Sequence, residues 1–321
     1  MPVIQSGSLV KNQFQLSQQT TQLTSFWHHR IRKLNCLTLN ITAEILHDCS
    51  MLSQKGGLMH DAFGRVLEQV SPKAYKALWM PDFDSDRFSQ FSSTPPPKAF
   101  ALNPPRETKS RYNKGDQIQF SLALFGKASV YAKEALSALY KIGENGLGSQ
   151  IARYKIIGCD TQDQSQKGQH NEQLESSHLV ARFESPTYFK QSGKQFFHAP
   201  DFEYLLSRII YRVNWISVLN DQNTLISQLE REEILKKTQC VEIVSDQSHQ
   251  AKWSRYSISR QKWMRFDGIA GHVVYRNVSQ DLMPLLHLAE VANIGGKTSF
   301  GMGEVSFSPL LKANHKEAIH G

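Results

Sequence analysis

The segment from Asn293 to Phe307, NIGGKTSFGMGEVSF, combines four glycines with a lysine and several hydroxyl side chains. Glycines at this density allow the main chain to adopt positive φ and to approach a ligand, so that its amides can bind phosphate oxygens. The segment is not a Walker loop, because its lysine follows a Gly-Gly pair, and the helical pattern before it excludes a Rossmann turn. The candidate phosphate-binding residues are Gly295, Gly296, Lys297, Thr298, Ser299, Gly301 and Gly303. A tight connection that serves only packing is the alternative interpretation.

A second candidate for anion binding lies between Trp253 and Arg265, where basic and aromatic residues are interleaved. Basic side chains contact phosphates, and aromatic rings stack on unpaired bases. The basic residues are Arg255, Arg260, Lys262 and Arg265, and the aromatic residues are Trp253, Tyr256 and Trp263. Arg153, on a strand that follows a glycine turn, is a further candidate. A solvated strand face with aromatic core residues would give the same pattern.

The net charge of +8 and the pI of about 9.2 favour an anionic partner, with nucleic acid first. Four widely spaced cysteines without a C-x-x-C pair are typical of a reduced, cytoplasmic protein. The twelve histidines form no H-E-x-x-H or zinc-finger spacing, so we expect no metal and no cofactor. No window approaches the roughly 18 uninterrupted apolar residues of a membrane span, and the N-terminus lacks the pattern of a signal peptide.

The elements of the first half follow from apolar periodicity. Alternation from Leu34 to Ile45 predicts a strand, and the apolar stripe from Leu58 to Val70 predicts a helix. Four further elements are predicted, namely a weak edge strand at Lys98 to Leu102, a strand at Gln117 to Leu124, a helix from Tyr131 to Ile142 ended by Gly143, and a strand at Gln150 to Ile157. This βαββαβ order is ferredoxin-like, as in RNA-recognition modules.

The second half repeats this plan with a helical insertion. The predicted elements are strands at Leu179 to Phe183 and Gln195 to Phe197, helices at Asp201 to Leu219 and Leu225 to Lys237, strands at Trp253 to Gln261 and Gly268 to Tyr275, a helix at Asp281 to Val291, and a last strand at Glu304 to Phe307. The fold class is therefore α+β, with tandem ferredoxin-like domains. We expect an N-terminal extension over 1–33, domains over 34–160 and 179–308, a linker over 161–178, and a tail over 309–321.

Four blocks of the sequence resemble the CRISPR-associated endoribonucleases of the RAMP superfamily, which cut precursor crRNA within the repeat. The blocks are KGGLMHDAFGRVL from Lys55, KGDQIQFSLALFGKA…ALYKIGENGLGSQIARYKI from Lys114, RFESPTYFKQSGK from Arg182, and FDGIAGHVVYRN…LLHLAEVANIGGKTSFGMGEVSF from Phe266. The last block, with its glycine loop, is the most specific. The first 30 residues and the linker have no clear counterpart in the family.

The resemblance implies tandem ferredoxin-like domains, binding of CRISPR repeat RNA, and metal-independent cleavage. In that reaction the 2′-OH attacks the adjacent phosphate and leaves a 2′,3′-cyclic phosphate and a 5′-OH. The chemistry needs a base, an acid and a positive charge beside the phosphate. Family enzymes often place a catalytic histidine on or beside the first helix, and His60 occupies such a position. His47 in the preceding loop is the rival base, and Lys55 is the candidate for the positive charge.

Two other functions compete with this one. A non-catalytic RAMP subunit would hold crRNA within a CRISPR effector complex together with other subunits. A general single-strand RNA-binding protein of the RNA-recognition type fits less well, because no RNP1 pattern occurs in the chain.

Overall fold

A computed structural model of the protein describes residues 30–31, 33–93, 96–148, 151–163, 178–220, 224–257 and 261–310. Most of the expected N-terminal extension, most of the expected linker and nearly all of the tail lie outside the described residues, as does Arg260. Within the described part of the chain, no helix combines the length and the apolar character needed to cross a membrane.

The first ferredoxin-like unit is a four-stranded antiparallel sheet with helices on one face. Its elements are β1 (Cys36–Ile45), β2 (Cys49–Ser50), α1 (Gly56–Val70), α2 (Pro72–Trp79), α3 (Ser85–Ser89), β3 (Phe100–Asn103), β4 (Arg111–Tyr112), β5 (Gln117–Phe125), α4 (Ala132–Asn145) and β6 (Tyr154–Asp163). The sheet order is β3-β5-β1-β6, and α1 packs against α4. Alternate β1 residues such as Leu39 and Ile41 are buried between this sheet and the helices, whereas Asn40 and Thr42 lie on the polar face.

The second unit repeats the arrangement. Its elements are β7 (His178–Thr187), β8 (Lys190–Gln191), β9 (Lys194–Gln195), α5 (Phe202–Val218), α6 (Gln228–Lys236), β10 (Glu242–Asp246), β11 (His249–Ala251), β12 (Ser254–Ser257), β13 (Lys262–Arg265), β14 (Gly268–Arg276), α7 (Met283–Ala292) and β15 (Val305–Pro309). The main sheet has the order β10-β14-β7-β15, and β12 and β13 form a separate hairpin. In the first unit β1 pairs with β5 and β6, and in the second unit β7 pairs with β14 and β15. In each main sheet the first strand in chain order therefore lies between the last two, which confirms the predicted tandem ferredoxin-like fold.

Most predicted elements are present, but some boundaries were wrong. Gly143 does not end its helix, which continues to Asn145 and stops before Gly146, where φ is +84°. Gly143 lies inside α4. This position requires glycine because a β-carbon there would clash with the main-chain carbonyl of Tyr154. The strand predicted from Gln150 begins at Tyr154 and extends into the expected linker, and the strand predicted at 195–197 is reduced to the two residues of β9.

Aromatic side chains fasten the segment around α3 to the second unit. The rings of Phe83 and Phe88 each meet the buried Trp215 of α5 edge-on, with centroids 5.4 Å apart. Phe91 meets Tyr211 of the same helix at 5.8 Å. The chain from residue 81 to residue 93 is thus fixed on α5, and it carries the following residues, 96–98, towards the glycine loop.

Candidate nucleic-acid interface

The glycine loop between α7 and β15 adopts a conformation that requires glycine. Gly295, Gly301 and Gly303 have φ values of +77°, +83° and +80°, so the expected positive φ is confirmed. A β-carbon would lie 2.5 Å from the Tyr188 carbonyl oxygen at position 295 and 2.5 Å from the ring of Pro104 at position 301. The glycines therefore allow the loop to pack closely against both units.

Three glycines of the loop donate their amides to hydrogen bonds within the protein. Gly296, Gly301 and Gly303 donate their N–H groups to the main-chain carbonyls of Tyr188, Thr298 and Pro186, at 2.9, 3.2 and 3.1 Å. An amide that donates to a carbonyl does not point at a phosphate oxygen, so the prediction of phosphate binding is wrong for these three amides. The alternative interpretation, a tight connection that serves packing, explains why glycines occur at these positions. Gly295 and Gly296 still line a cavity, described below.

Lys297 connects the glycine loop with the end of the β12–β13 hairpin. Its ammonium donates to the main-chain oxygen of Arg265 at 2.8 Å and lies over the rings of Tyr188 and Phe266, 4.6 and 4.2 Å from their centroids. Burial lowers the pKa of Lys297. Lys297 therefore has structural contacts in addition to its proposed contact with RNA.

His60 lies on α1 with its side chain turned towards the glycine loop. Its Nδ1 is 2.9 Å from the carbonyl oxygen of Ser299, and its ring stacks on Phe300 with a centroid distance of 3.7 Å. A carbonyl oxygen only accepts hydrogen bonds, so Nδ1 carries the proton and Nε2 is the basic nitrogen of the neutral ring. The side chain is buried, with 6% exposure. The structure thus brings the predicted base and the predicted phosphate loop together.

His47 occupies a different place, in the exposed turn after β1. The amide of the preceding residue, Leu46, donates to the carbonyl of Arg153 at 3.0 Å, so the main chain at Arg153 lies beside the residue that precedes His47. Arg153 is also exposed. Both predicted residues lie near the end of β1, whereas His60 lies against the glycine loop.

Lys55 does not present its charge to a ligand. It is 2% exposed, and its ammonium donates to the main-chain oxygens of Glu107 at 2.6 Å and Lys109 at 3.2 Å. Burial lowers its pKa. The prediction that Lys55 neutralises the scissile phosphate is therefore wrong, since its donors already hold the segment before β4.

The basic and aromatic run divides between the hairpin and the core. Lys262 and Trp263 of β13 are exposed, whereas Trp253 packs on Phe266 with a centroid distance of 4.6 Å. Arg265 is exposed and forms an ion pair with Asp267 at 2.7 Å. Arg255 belongs to β12, opposite Met264. The hairpin therefore offers Lys262, Trp263 and Arg265 to solvent, and Trp253 fits the core interpretation.

A cavity of about 780 Å³ lies between the glycine loop, residues 91–93 and 96–98, and α5. Residues 295–299 form one wall, and the described residues lining the cavity include no aspartate or glutamate. Its basic residues are Lys98, Lys190, Arg208 and Lys297, and its aromatic residues are Phe91, Tyr188, Phe189 and Tyr211. This arrangement fits an anion that carries aromatic groups.

Lys98 is one of three basic cavity residues, with Lys190 and Arg208, that were not predicted as functional candidates from the sequence. Its ammonium lies 4.7 Å from the ring centroid of Trp79, a ring that also neighbours His60 at 5.6 Å. Burial lowers the pKa of Lys98 to about 8. A lysine within a predicted edge strand, directly after three prolines, was the only sequence signal.

A second cleft, of about 650 Å³, lies over the polar face of the first sheet and has a different character. Arg106 and Glu304 meet there, with Nη2 and Oε1 2.6 Å apart, and Glu107 and Asp160 also line the cleft. Because three carboxylates and one arginine line this cleft, it is less suited to phosphate than the first cavity.

The protein thus contains two ferredoxin-like units packed against one glycine loop, with a histidine of the first helix beside that loop. A model of the CRISPR-associated endoribonuclease Cas6 family matches residues 181–305, and a second model, described as an N-terminal domain, matches residues 34–181. The second unit therefore resembles the CRISPR-associated Cas6 endoribonuclease family, and the resemblance seen in the sequence is confirmed.

Solved structures agree with this resemblance at the level of the fold. A Cas6 product complex has 17% identity and a TM-score of 0.54, over 86% of this chain and 100% of that chain. Thermus thermophilus Cas6 has 16% identity and a TM-score of 0.52, over 86% and 98%. A partial Cas6-RT-Cas1–Cas2 complex has 12% identity and a TM-score of 0.52, over 88% and 47%. No curated relative matches the sequence.

Proposed function

We propose that this protein is a metal-independent endoribonuclease that cleaves CRISPR repeat RNA within precursor crRNA. The 2′-OH attacks the adjacent phosphate, the bond from phosphorus to the 5′-oxygen breaks, and the products carry a 2′,3′-cyclic phosphate and a 5′-OH. One observation carries the proposal. His60 is hydrogen-bonded to the main-chain oxygen of Ser299, and Ser299 lines a cavity whose walls are basic and aromatic.

The proposed base is Nε2 of His60, because Nδ1–H donates a hydrogen bond to the carbonyl oxygen of Ser299. Lys98 replaces Lys55 as the proposed source of positive charge beside the phosphate, since it lines the cavity. His60 itself does not line the cavity, because the turn from Thr298 to Phe300 lies between them. Cleavage by His60 therefore requires this turn to move when RNA binds.

His47 remains the rival base. It is exposed and needs no loop movement, but the described residues around it supply only Arg153 from the predicted set. If His47 is the base, the scissile phosphate lies at the end of β1 and the glycine-loop cavity binds another part of the RNA.

The proposed RNA contacts are the cavity residues Lys98, Lys190, Arg208 and Lys297, together with the exposed hairpin residues Lys262 and Arg265. Their charges would displace counterions from the RNA backbone, so affinity would fall with salt. A cytoplasmic location belongs to the proposal, and the four free cysteines agree with it.

The second candidate function is a non-catalytic subunit that binds crRNA in an effector complex. The burial of His60 favours it, because a buried and hydrogen-bonded histidine is also an ordinary core residue.

Cleavage of the host's repeat RNA by purified protein in EDTA separates the two functions. The endoribonuclease reading predicts one cut in the repeat, a cyclic phosphate on the 5′ product, and no cut when the nucleotide before the scissile phosphate is 2′-deoxy. Tight binding without cleavage would support the subunit. Cleavage that EDTA abolishes and Mg²⁺ restores would contradict the mechanism.

A further inference from the structure

Two tyrosines at the cavity each have a cation over one face of the ring. The guanidinium carbon of Arg208 lies 4.7 Å from the centroid of Tyr211, and the ammonium of Lys297 lies 4.6 Å from the centroid of Tyr188. All four residues line the cavity. Each pair offers a flat aromatic surface beside a positive charge. A nucleotide complements both, because its base can stack on the ring and its phosphate can contact the cation.

Tyr211 is held in place from the first unit. Phe91 meets its ring edge-on at 5.8 Å and an interplanar angle of 72°. Phe91 is itself packed on Phe88, which meets the buried Trp215. A ring whose position is fixed before binding loses little conformational freedom when a base stacks on it.

The charge and size of the cavity indicate its ligand. Its volume of about 780 Å³ lies within the roughly 300–1,000 Å³ of ordinary ligand pockets. Four cations and no carboxylate among the described lining residues favour an anion. A phosphate alone would leave the aromatic walls unused, whereas a nucleotide with an unpaired base uses both.

We propose that the cavity binds one unpaired nucleotide of the RNA next to the scissile phosphate, with its base stacked at Tyr211 and Arg208 and its phosphate held by Lys98 and Lys190. The inference rests on the proposed function. Stacking depends weakly on base identity, so the site selects an unpaired base rather than a particular one.

Abasic substitution tests this directly. A series of repeat RNAs carries a single abasic nucleotide at each position around the cut, and single-turnover cleavage and RNA affinity are measured for each. For the wild type, one position should show a loss of roughly 5- to 150-fold in the combined efficiency, the usual worth of one stacked base. No loss at any position would overturn the inference while leaving the endoribonuclease function intact.

Substitution of Tyr211 assigns the effect to this cavity. Tyr211→Leu should lose a similar factor on intact RNA and show no further loss with the abasic RNA, whereas Tyr211→Trp should keep the wild-type pattern. Tyr140→Leu, at an exposed position on α4, is the matched control and should behave as wild type. An abasic effect that persists in Tyr211→Leu would place the base elsewhere.

If the wild type binds repeat RNA without cutting it, the same series is read from affinities alone. An abasic loss that Tyr211→Leu removes would then support the base site even though the proposed function had failed. A set of affinities that is equal for all abasic RNAs would contradict the site.

Discussion

The α-carbon of Gly56, at the first position of α1, faces the carbonyl group of Phe300 in the glycine loop. A β-carbon on residue 56 would overlap the carbonyl oxygen and lie 2.9 Å from the carbonyl carbon of Phe300. The same helix carries His60, whose Nδ1 meets the neighbouring carbonyl of Ser299. The close approach permitted by Gly56 therefore brings the proposed base within hydrogen-bonding distance of the loop.

Gly56→Ala should lower the free energy of unfolding by up to about 2 kcal/mol. The added methyl group meets main-chain atoms that cannot rotate away, which costs about 1–3 kcal/mol, and the gain in helix propensity returns about 1 kcal/mol. Thermal unfolding measures the change. Gly158→Ala is the control, since its β-carbon would lie 3.7 Å from Thr42 in ordinary contact. Equal melting temperatures for the two variants would show that the helix and the loop are not in close contact.

Lys55→Met should cost about 1–3 kcal/mol of stability and leave the cleavage rate unchanged below the melting temperature. The methionine keeps the apolar stem but leaves the carbonyls of Glu107 and Lys109 without the donors they have now. Chemical denaturation and single-turnover cleavage measure the two quantities. A stable variant that had lost cleavage would restore Lys55 as the residue beside the phosphate.

The sequence predicted the fold well because alternation and amphipathic stripes determine which faces are buried. β1, α1 and α5 appear within two residues of their predicted positions. The ends of α4 and β6 were missed because Gly143 reads as a stop signal, and only the packed neighbour Tyr154 shows that it serves close contact instead.

The site was harder to predict, for a physical reason. The sequence does not show which of Lys55, Lys98 and Lys297 can reach a ligand. In the structure, main-chain carbonyls enclose the ammonium of Lys55, whereas Lys98 and Lys297 line the cavity. That difference arises from contacts between residues far apart in the chain. Periodicity describes local structure and carries no information on such contacts.

Lys98 should make RNA binding depend on pH near neutrality. Its pKa of about 8 means that the ammonium loses its charge as the pH rises through 8, whereas an ordinary lysine stays charged to about 10.4. RNA affinity should therefore fall between about pH 7 and pH 9. Lys98→Arg keeps its charge over this range, so its affinity should change less. Fluorescence anisotropy at constant ionic strength measures the profiles, and two parallel profiles would show that Lys98 does not contact the phosphate.

His60→Asn tests whether His60 acts as the base. The asparagine amide can still donate to the Ser299 carbonyl but cannot accept a proton at neutral pH, so it separates positioning from chemistry. Single-turnover cleavage of repeat RNA in EDTA should slow by roughly 10²–10⁴-fold, with RNA affinity and melting temperature close to wild type. His47→Asn should cut normally. A His60→Asn protein that cleaves at the wild-type rate, with His47→Asn inactive, would show that His60 is not the base and that His47 is.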